Sequence, residues 1–151
     1  MDQVVKTTPV IRCIIWKQED SSILFCRKTI KLTENGTHFD SSHWELPLCK
    51  KLRRETAVEA AERVAYDTAG IYAGEAQLLR QPITHFSQTF FHASHHYVLL
   101  SDVSGRFDQD DNESGKEGCW QWIPYEHMGA YAVRRETVAM IKQAVASLPC
   151  N

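Results

Sequence analysis

WELPLCKKLRRETAVEAAERVAYDTAGI, residues 44–71, joins a basic segment to a helix-forming segment. The second part, ETAVEAAERVAYDTA (55–69), is rich in strong helix formers, and Gly70 is placed to end the helix. At 100° per residue the small and aliphatic side chains gather on one side, which we expect to be buried. That side comprises Ala57, Val58, Ala61, Val64, Ala65 and Thr68, and the opposite side comprises Glu55, Glu59, Glu62 and Tyr66.

The same stretch contains a spaced pattern of fixed residues. Trp44, Leu46 and Pro47 lead into it, Arg63 follows Glu55 after seven intervening residues, and Gly70-Ile71 closes it. In this frame the stretch resembles the signature of the Nudix hydrolases, G-x5-E-x7-R-E-U-x-E-E-x-G-U with U aliphatic. The resemblance implies an α+β fold, a Nudix-type α/β/α sandwich with a mixed β-sheet, as a single domain over residues 1–151.

The departures from this signature affect residues that the family uses for chemistry. Cys49 stands where the signature has its first glycine, and Val64 where it has the glutamate after the arginine. The closing pair of glutamates is replaced by Asp67 and Thr68. The sequence therefore keeps the spacing of the signature while losing most of its carboxylates.

The family hydrolyses nucleoside diphosphates linked to another moiety, with Mg²⁺ or Mn²⁺ held on carboxylates. The resemblance implies Asp67 and Glu55 as metal ligands, and Glu55 and Arg63 as catalytic residues. A residue from the loop before the last strand often acts as base or metal ligand in the family, which implies Glu117, with Glu113 as a second candidate. Because so few of the carboxylates remain, we expect Mg²⁺ or Mn²⁺ to bind weakly or not at all.

A cluster of basic residues precedes the predicted helix: Lys50, Lys51, Arg53 and Arg54. The family binds substrate phosphates close to this part of the fold, so these side chains are candidates for holding a pyrophosphate. A solvated basic loop explains the same pattern. His96, in a His-Tyr-Val segment like that of some Nudix enzymes acting on sugar nucleotides, is a further candidate for substrate binding.

The remainder of the chain alternates strands and polar segments. TPVIRCIIW (8–16) and SILFCRK (22–28) predict a β-hairpin or adjacent strands, and the segment 31–43 predicts a long polar loop with an Asn-Gly turn. Residues 83–103 predict two strands or one long bent strand, and an acidic loop follows. CWQWIP (119–124) predicts a final strand, and RRETVAMIKQAVASL (134–148) a closing helix.

The overall composition is that of a globular protein. The formal net charge of −2 supplies no excess of positive charge for a nucleic acid polymer, and no stretch is apolar enough for a membrane span. Five cysteines without a CxxC pair favour a reducing compartment, so we expect a cytoplasmic protein. The expected partner is a nucleotide-type small molecule, and a homodimer remains open because many Nudix proteins form one.

Two functions are compatible with these observations. The first is a Nudix-type pyrophosphohydrolase with weak or altered activity, which the retained Glu55 and Arg63 favour. The alternative is a non-catalytic nucleotide-binding or regulatory module, which Val64 and Thr68 favour.

Overall fold

The computed structural model describes residues 9–34, 36–80, 95–105 and 120–149. In these ranges the chain forms seven strands, two helices and one 3₁₀ turn. The strands are β1 (Val10–Lys17), β2 (Ser22–Glu34), β3 (Thr37–Glu45), β4 (Leu48–Lys50), β5 (Ile71–Leu78), β6 (His95–Gly105) and β7 (Trp120–Pro124). The helices are α1 (Ala57–Ala69) and α2 (Arg135–Ala146), and the 3₁₀ turn is Tyr125–Ala130.

The strands form one mixed sheet in the order β3-β2-β1-β6-β5. β1 and β6 run parallel. The other pairs in this order, β2 with β3, β1 with β2 and β5 with β6, are antiparallel. The two short strands lie beside this path, since β4 pairs with β1 and β7 pairs with β2. The predicted mixed sheet with few helices is therefore confirmed.

The sheet is covered on both faces by helices. On one face Ile14 and Phe25 pack with Ile141 of α2, and on the other face Ile11 and Leu24 pack with residues of α1. β1 is consequently buried on both faces, which explains why its sequence is a nearly continuous apolar run. The predicted α/β/α layering is the result.

Local sequence signals determine where α1 begins and ends. The Thr56 hydroxyl accepts from the Glu59 N–H, while the Glu59 carboxylate accepts from the Thr56 N–H, which is a capping box. Gly70 ends the helix with a φ of 65°, a left-handed conformation that favours glycine. The helix therefore begins two residues later than predicted, and Glu55 lies in the loop before it. Its predicted buried side is confirmed at Ala61, Val64 and Ala65.

The prediction of a long polar loop over 31–43 is wrong. β2 continues to Glu34 and pairs with β3 from Cys26↔Glu45 to Glu34↔Thr37. Gly36, with a φ of 76°, lies in the turn that joins the two strands. Strands in a hairpin pair through backbone hydrogen bonds, which polar residues can form as well as apolar ones. A polar hairpin therefore lacks the pattern of apolar residues by which strands are predicted.

The other predicted elements agree with the described residues. β1, β2 and β7 lie where strands were predicted, and α2 occupies most of the predicted closing helix. β6 accounts for the second part of 83–103, while residues 81–94 and the acidic loop lie outside the described ranges. Within those ranges, no helix has the length and apolar character required to cross a bilayer.

A buried arginine and a histidine lie at the start of β1 and β6. Arg12, which is 7% exposed, donates from Nε to Nδ1 of His95 at 3.3 Å. Burial lowers the pKa of His95 below its usual 6.5, and the positive charges of Arg12 and Arg134 lower it further, against the opposing effect of Glu136. His95 is therefore held in its neutral form, in which Nδ1 accepts the hydrogen bond.

This arrangement predicts a loss of stability in mild acid. Because the pKa of His95 is lower in the folded chain, the unfolded chain binds more protons below pH 6.5, so the free energy of unfolding falls as the pH decreases. The loss is at most about 1.4 kcal/mol per pH unit for one proton. We expect His95→Gln, which keeps an acceptor for Arg12, to reduce this dependence in urea unfolding between pH 7.5 and 5.5. The matched control is His127→Gln at an exposed position, and an equal pH dependence in wild type and His95→Gln would contradict the prediction.

Candidate functional site

The loop between β4 and α1 is fixed by one arginine of α1. Arg63 donates from Nη2 to Oε1 of Glu55 at 2.6 Å and from Nε to Oε2 at 3.1 Å, a bidentate ion pair. The same Nη2 donates to the Lys50 carbonyl at 3.2 Å. Glu55 also accepts from the Leu52 N–H at 2.8 Å. The predicted pair of Glu55 and Arg63 is therefore brought together, and it ties the loop to the second turn of the helix.

A lysine inside the loop strengthens this arrangement. Lys51 Nζ donates to the Glu55 carbonyl at 2.8 Å and to the Leu52 carbonyl at 3.3 Å. Its ammonium group thus satisfies two backbone acceptors of the loop itself. Lys51, a predicted phosphate ligand, therefore binds backbone oxygens.

The electrostatics of the pair favour the charged forms of both partners. The hydrogen bond from Arg63 lowers the pKa of Glu55, and the Leu52 N–H lowers it further. The hydrogen bond to Glu55 in turn raises the pKa of Arg63. Both groups therefore remain ionised at neutral pH, so Glu55 is a carboxylate whose two oxygens already accept hydrogen bonds.

Cys49 fills the position of the first glycine of the signature. Its thiol lies 3.6 Å from Arg63 Nη2 and 3.8 Å from the Ala60 carbonyl of α1. Burial raises the pKa of this thiol, and although Arg63 lowers it, the shift remains upward. Cys49 therefore packs beneath the helix as a thiol.

The α1 residues at the positions of the family's acids do not form a cation site. Val64 is 6% exposed and lies in the α1 cluster, which the buried residues of α1 form with Ile11 and Leu24 of the sheet. Thr68 is half-buried. Asp67 is exposed on the helix, as a single carboxylate. Within the described residues, no group of three or more His, Cys, Asp and Glu side chains is arranged to hold a metal ion.

The carboxylate of Glu55 does not replace the metal ligands that α1 lacks. Both of its oxygens accept from Arg63, and one of them also accepts from the Leu52 N–H. Three hydrogen bonds thus occupy most of the lone pairs of this carboxylate, which leaves at most one for a metal ion. The described residues therefore do not fit the Mg²⁺ or Mn²⁺ site that the resemblance implies.

The predicted phosphate-binding cations are separated by the fold. Cys49 faces α1, so Lys50, the next residue in the strand, lies on the opposite face and is exposed. Arg53 and Arg54 form the exposed turn before α1. His96 is half-buried on β6 opposite Ile11, whose side chain belongs to the α1 cluster. Glu117 and Glu113 lie outside the described residues.

A second polar cluster was not predicted from the sequence. His43 Nε2 and Glu45 Oε1 of β3 lie 2.7 Å apart, and Lys28 Nζ of β2 lies 3.3 Å from Glu45 Oε2. The Glu45 side chain is only 11% exposed. The spacing of two between His43 and Glu45, which puts them on one face of a strand, is the signal that could have revealed this cluster. The wrong prediction of a loop over residues 31–43 concealed it.

The cluster keeps Glu45 ionised. Burial alone raises the pKa of this carboxyl, but the hydrogen bond with His43 and the charge of Lys28 outweigh burial and lower the pKa below the usual 4.5. Arg12 contributes in the same direction. Glu45 therefore accepts the hydrogen bond, and His43 donates it from Nε2.

Comparison with known proteins gives a result for structure alone. No model of a protein family and no curated protein sequence matches the chain. Among solved structures, the chain is similar to MutT of Bacillus halodurans, with a TM-score of 0.66 and 15% identity over 93% of this chain and 83% of that one. A MutT structure from work on Aliivibrio salmonicida and Vibrio cholerae gives a TM-score of 0.62 and 18% identity over 95% and 100% of the two chains. An Ap4A hydrolase of Caenorhabditis elegans gives 0.56 and 15% identity over 95% and 99%.

Proposed function

The chain has the Nudix fold, and we propose that it binds a nucleoside diphosphate linked to another moiety and hydrolyses it slowly. The observation that supports this proposal is the loop between β4 and α1, which keeps its bidentate Glu55–Arg63 pair at 2.6 and 3.1 Å. An ordered loop of this kind can hold an anionic ligand against the start of α1 without first having to fold around it. A MutT protein and an Ap4A hydrolase share the fold, which supports a nucleotide ligand by analogy.

The ligand phosphates would bind chiefly to Arg53 and Arg54. Both side chains are exposed in the turn that Arg63 and Lys51 hold in place, and neither has a described ion-pair partner. Guanidinium groups bind phosphate oxygens in a bidentate manner, so two adjacent arginines suit a diphosphate. Arginine side chains can neutralise the phosphates without a divalent ion, but they do not acidify water, which is why turnover would be slow.

Binding of ADP-ribose should not require a divalent ion. We expect isothermal titration to give similar dissociation constants in EDTA and in Mg²⁺, because the arginines neutralise the diphosphate in either case. Arg53→Gln/Arg54→Gln should raise the dissociation constant at least about tenfold, equivalent to about 1.4 kcal/mol.

The matched control is Arg134→Gln/Arg135→Gln, which removes two exposed arginines at the start of α2. If both double variants weaken binding equally, the effect is one of overall charge and the site assignment fails. Binding that disappears in EDTA would show that a metal ion is essential and would contradict the proposal.

A non-catalytic nucleotide-binding module is the second candidate function. The burial of Val64 in the α1 cluster favours it, since an alkyl side chain there contributes to packing and not to catalysis. Chromatographic detection of AMP after long incubation with ADP-ribose separates the candidates. Ligand binding without any AMP above the background of the uncatalysed reaction would favour the non-catalytic module.

A further inference from the structure

The pair of His43 and Glu45 has the geometry of a proton-transfer site. The contact of 2.7 Å joins His43 Nε2 to a carboxylate that is 11% exposed, and the imidazole itself is 18% exposed. Glu45 is ionised, so Nε2 carries the proton, and the lone pair of the neutral imidazole is on Nδ1. A carboxylate that holds a histidine in one tautomer is the arrangement by which enzymes prepare a histidine to accept a proton.

Lys28 fixes the carboxylate from its other side. Its ammonium group lies 3.3 Å from Glu45 Oε2, so each carboxylate oxygen has its own partner. This ion pair favours the orientation of the carboxylate in which Oε1 contacts the imidazole. Lys28 is directly opposite His43 in the pairing of β2 with β3, so the three side chains occupy the same face of the hairpin.

The pairing of the strands shows which face this is. Cys26 lies opposite Glu45 on one side and opposite Trp120 of β7 on the other. Leu24, two residues before Cys26 in the same strand, packs in the α1 cluster together with Trp120. The pair therefore lies on the face of the sheet that α1 covers, on the strand that leads through Pro47 into β4 and the loop between β4 and α1.

We propose that His43 accepts the proton of the attacking water in the slow hydrolysis, and that Glu45 and Lys28 position it. The inference rests on the proposed function. In this step the water oxygen forms a bond to phosphorus, the bond from phosphorus to the bridging oxygen breaks, and the leaving phosphate takes the electron pair. The water proton goes to Nδ1 of His43, and Glu45 stabilises the imidazolium until the proton passes to solvent. A base on β3 supplies proton transfer that Val64 and Thr68, at two of the acid positions of α1, do not.

Steady-state hydrolysis of ADP-ribose by the full chain tests this role. We expect His43→Gln to lower kcat about a hundredfold with little change in KM, and to remove the fall of kcat toward acid pH. Glu45→Gln should lower kcat about tenfold, because the amide does not stabilise an imidazolium. The charged groups described around His43 are Lys28 of β2 and Glu45 of β3, and Arg12 of β1 acts on Glu45. Lys28→Met should therefore change the pH at which kcat falls in acid (the acid limb of the pH profile) without removing that fall.

Two further measurements separate catalysis from folding. Added imidazole should restore activity to His43→Ala, which a purely structural histidine would not allow. His127→Gln, at an exposed histidine of the 3₁₀ turn, should retain wild-type kcat. If His43→Gln keeps both kcat and the acid limb, or raises only KM, the role of His43 is refuted while the proposed hydrolysis stands. If the wild-type chain binds ADP-ribose and releases no AMP, the proposed hydrolysis and the role of His43 are refuted together.

Discussion

Replacing Val64 with glutamate should lower the free energy of unfolding by about 2 to 4 kcal/mol. Val64 is 6% exposed and lies in the cluster formed by Ile11, Leu24 and the small residues of α1. A carboxylate there loses its hydration and must either stay charged in an apolar environment or bind a proton. Urea unfolding followed by tryptophan fluorescence at pH 7.5 measures the loss. The penalty should become smaller at pH 5, because the unpaired carboxyl is then protonated in part.

Thr68→Glu is the matched control for this substitution. It adds the same side chain one helical turn later, at a half-buried position from which the carboxylate can reach water. We expect its free energy of unfolding to remain within about 1 kcal/mol of the wild type. Equal stability of Val64→Glu and Thr68→Glu would show that position 64 is open to solvent, and would contradict the packing described for α1.

Positions 64 and 68 of α1 should also differ in how they accommodate a carboxylate. Restoring the acid at position 68 should be tolerated, whereas restoring the acid at position 64 disrupts the apolar cluster unless a cation accompanies it. We therefore expect Mn²⁺ at millimolar concentration to recover part of the stability of Val64→Glu/Thr68→Glu, because an ion bound only to the folded chain stabilises it. A double variant that Mn²⁺ does not stabilise would mean that the acids alone do not rebuild the site.

Arg63→Met should weaken the binding of ADP-ribose at least about tenfold, or about 1.4 kcal/mol. Methionine preserves much of the apolar stem of the arginine, but it removes the hydrogen bonds that Arg63 donates to Glu55 and to the Lys50 carbonyl. The loop would then sample several conformations, and the ligand would have to order it on binding. Isothermal titration measures the dissociation constant, and amide hydrogen exchange of residues 50–56 measures the loss of order in the loop.

Glu55→Gln provides the partner substitution for a double-mutant cycle. If both side chains act through their mutual ion pair, Arg63→Met/Glu55→Gln should bind ADP-ribose no more weakly than Arg63→Met alone. Arg135→Met, at an exposed position of α2, should leave the dissociation constant unchanged. Wild-type affinity in Arg63→Met would exclude the loop as the ligand site.

Much of the fold could be predicted from short-range patterns. The sided distribution of Ala61, Val64 and Ala65 was sufficient to predict which face of α1 is buried, and it also shows that position 64 is apolar where the Nudix signature is acidic. The apolar and β-branched residues of 8–16 and 22–28 correctly predicted adjacent strands, which pair as β1 and β2. These predictions succeed because helix periodicity, capping and strand composition involve residues close together in the chain.

The candidate site was predicted in part. The resemblance implied Glu55 and Arg63 as catalytic residues, and the structure joins them in an ion pair. The sequence did not distinguish the roles of the neighbouring cations, because that depends on which way each residue of β4 and the following loop faces. Lys51 binds backbone carbonyls, whereas Lys50 lies on the face opposite to Cys49.

The sequence by itself thus determined the C-terminal end of α1 and its buried side, the mixed arrangement of strands and helices, and the loss of acids from the signature. Only the tertiary structure decided which residues of the sheet pack with Val64, that both oxygens of Glu55 accept hydrogen bonds from Arg63, and that β3 brings His43 and Glu45 beside Lys28. The physical reason is that strand register and side-chain packing join residues distant in the chain. A polar hairpin is specified by backbone pairing and by its turn, so no local periodicity of apolar residues predicts it.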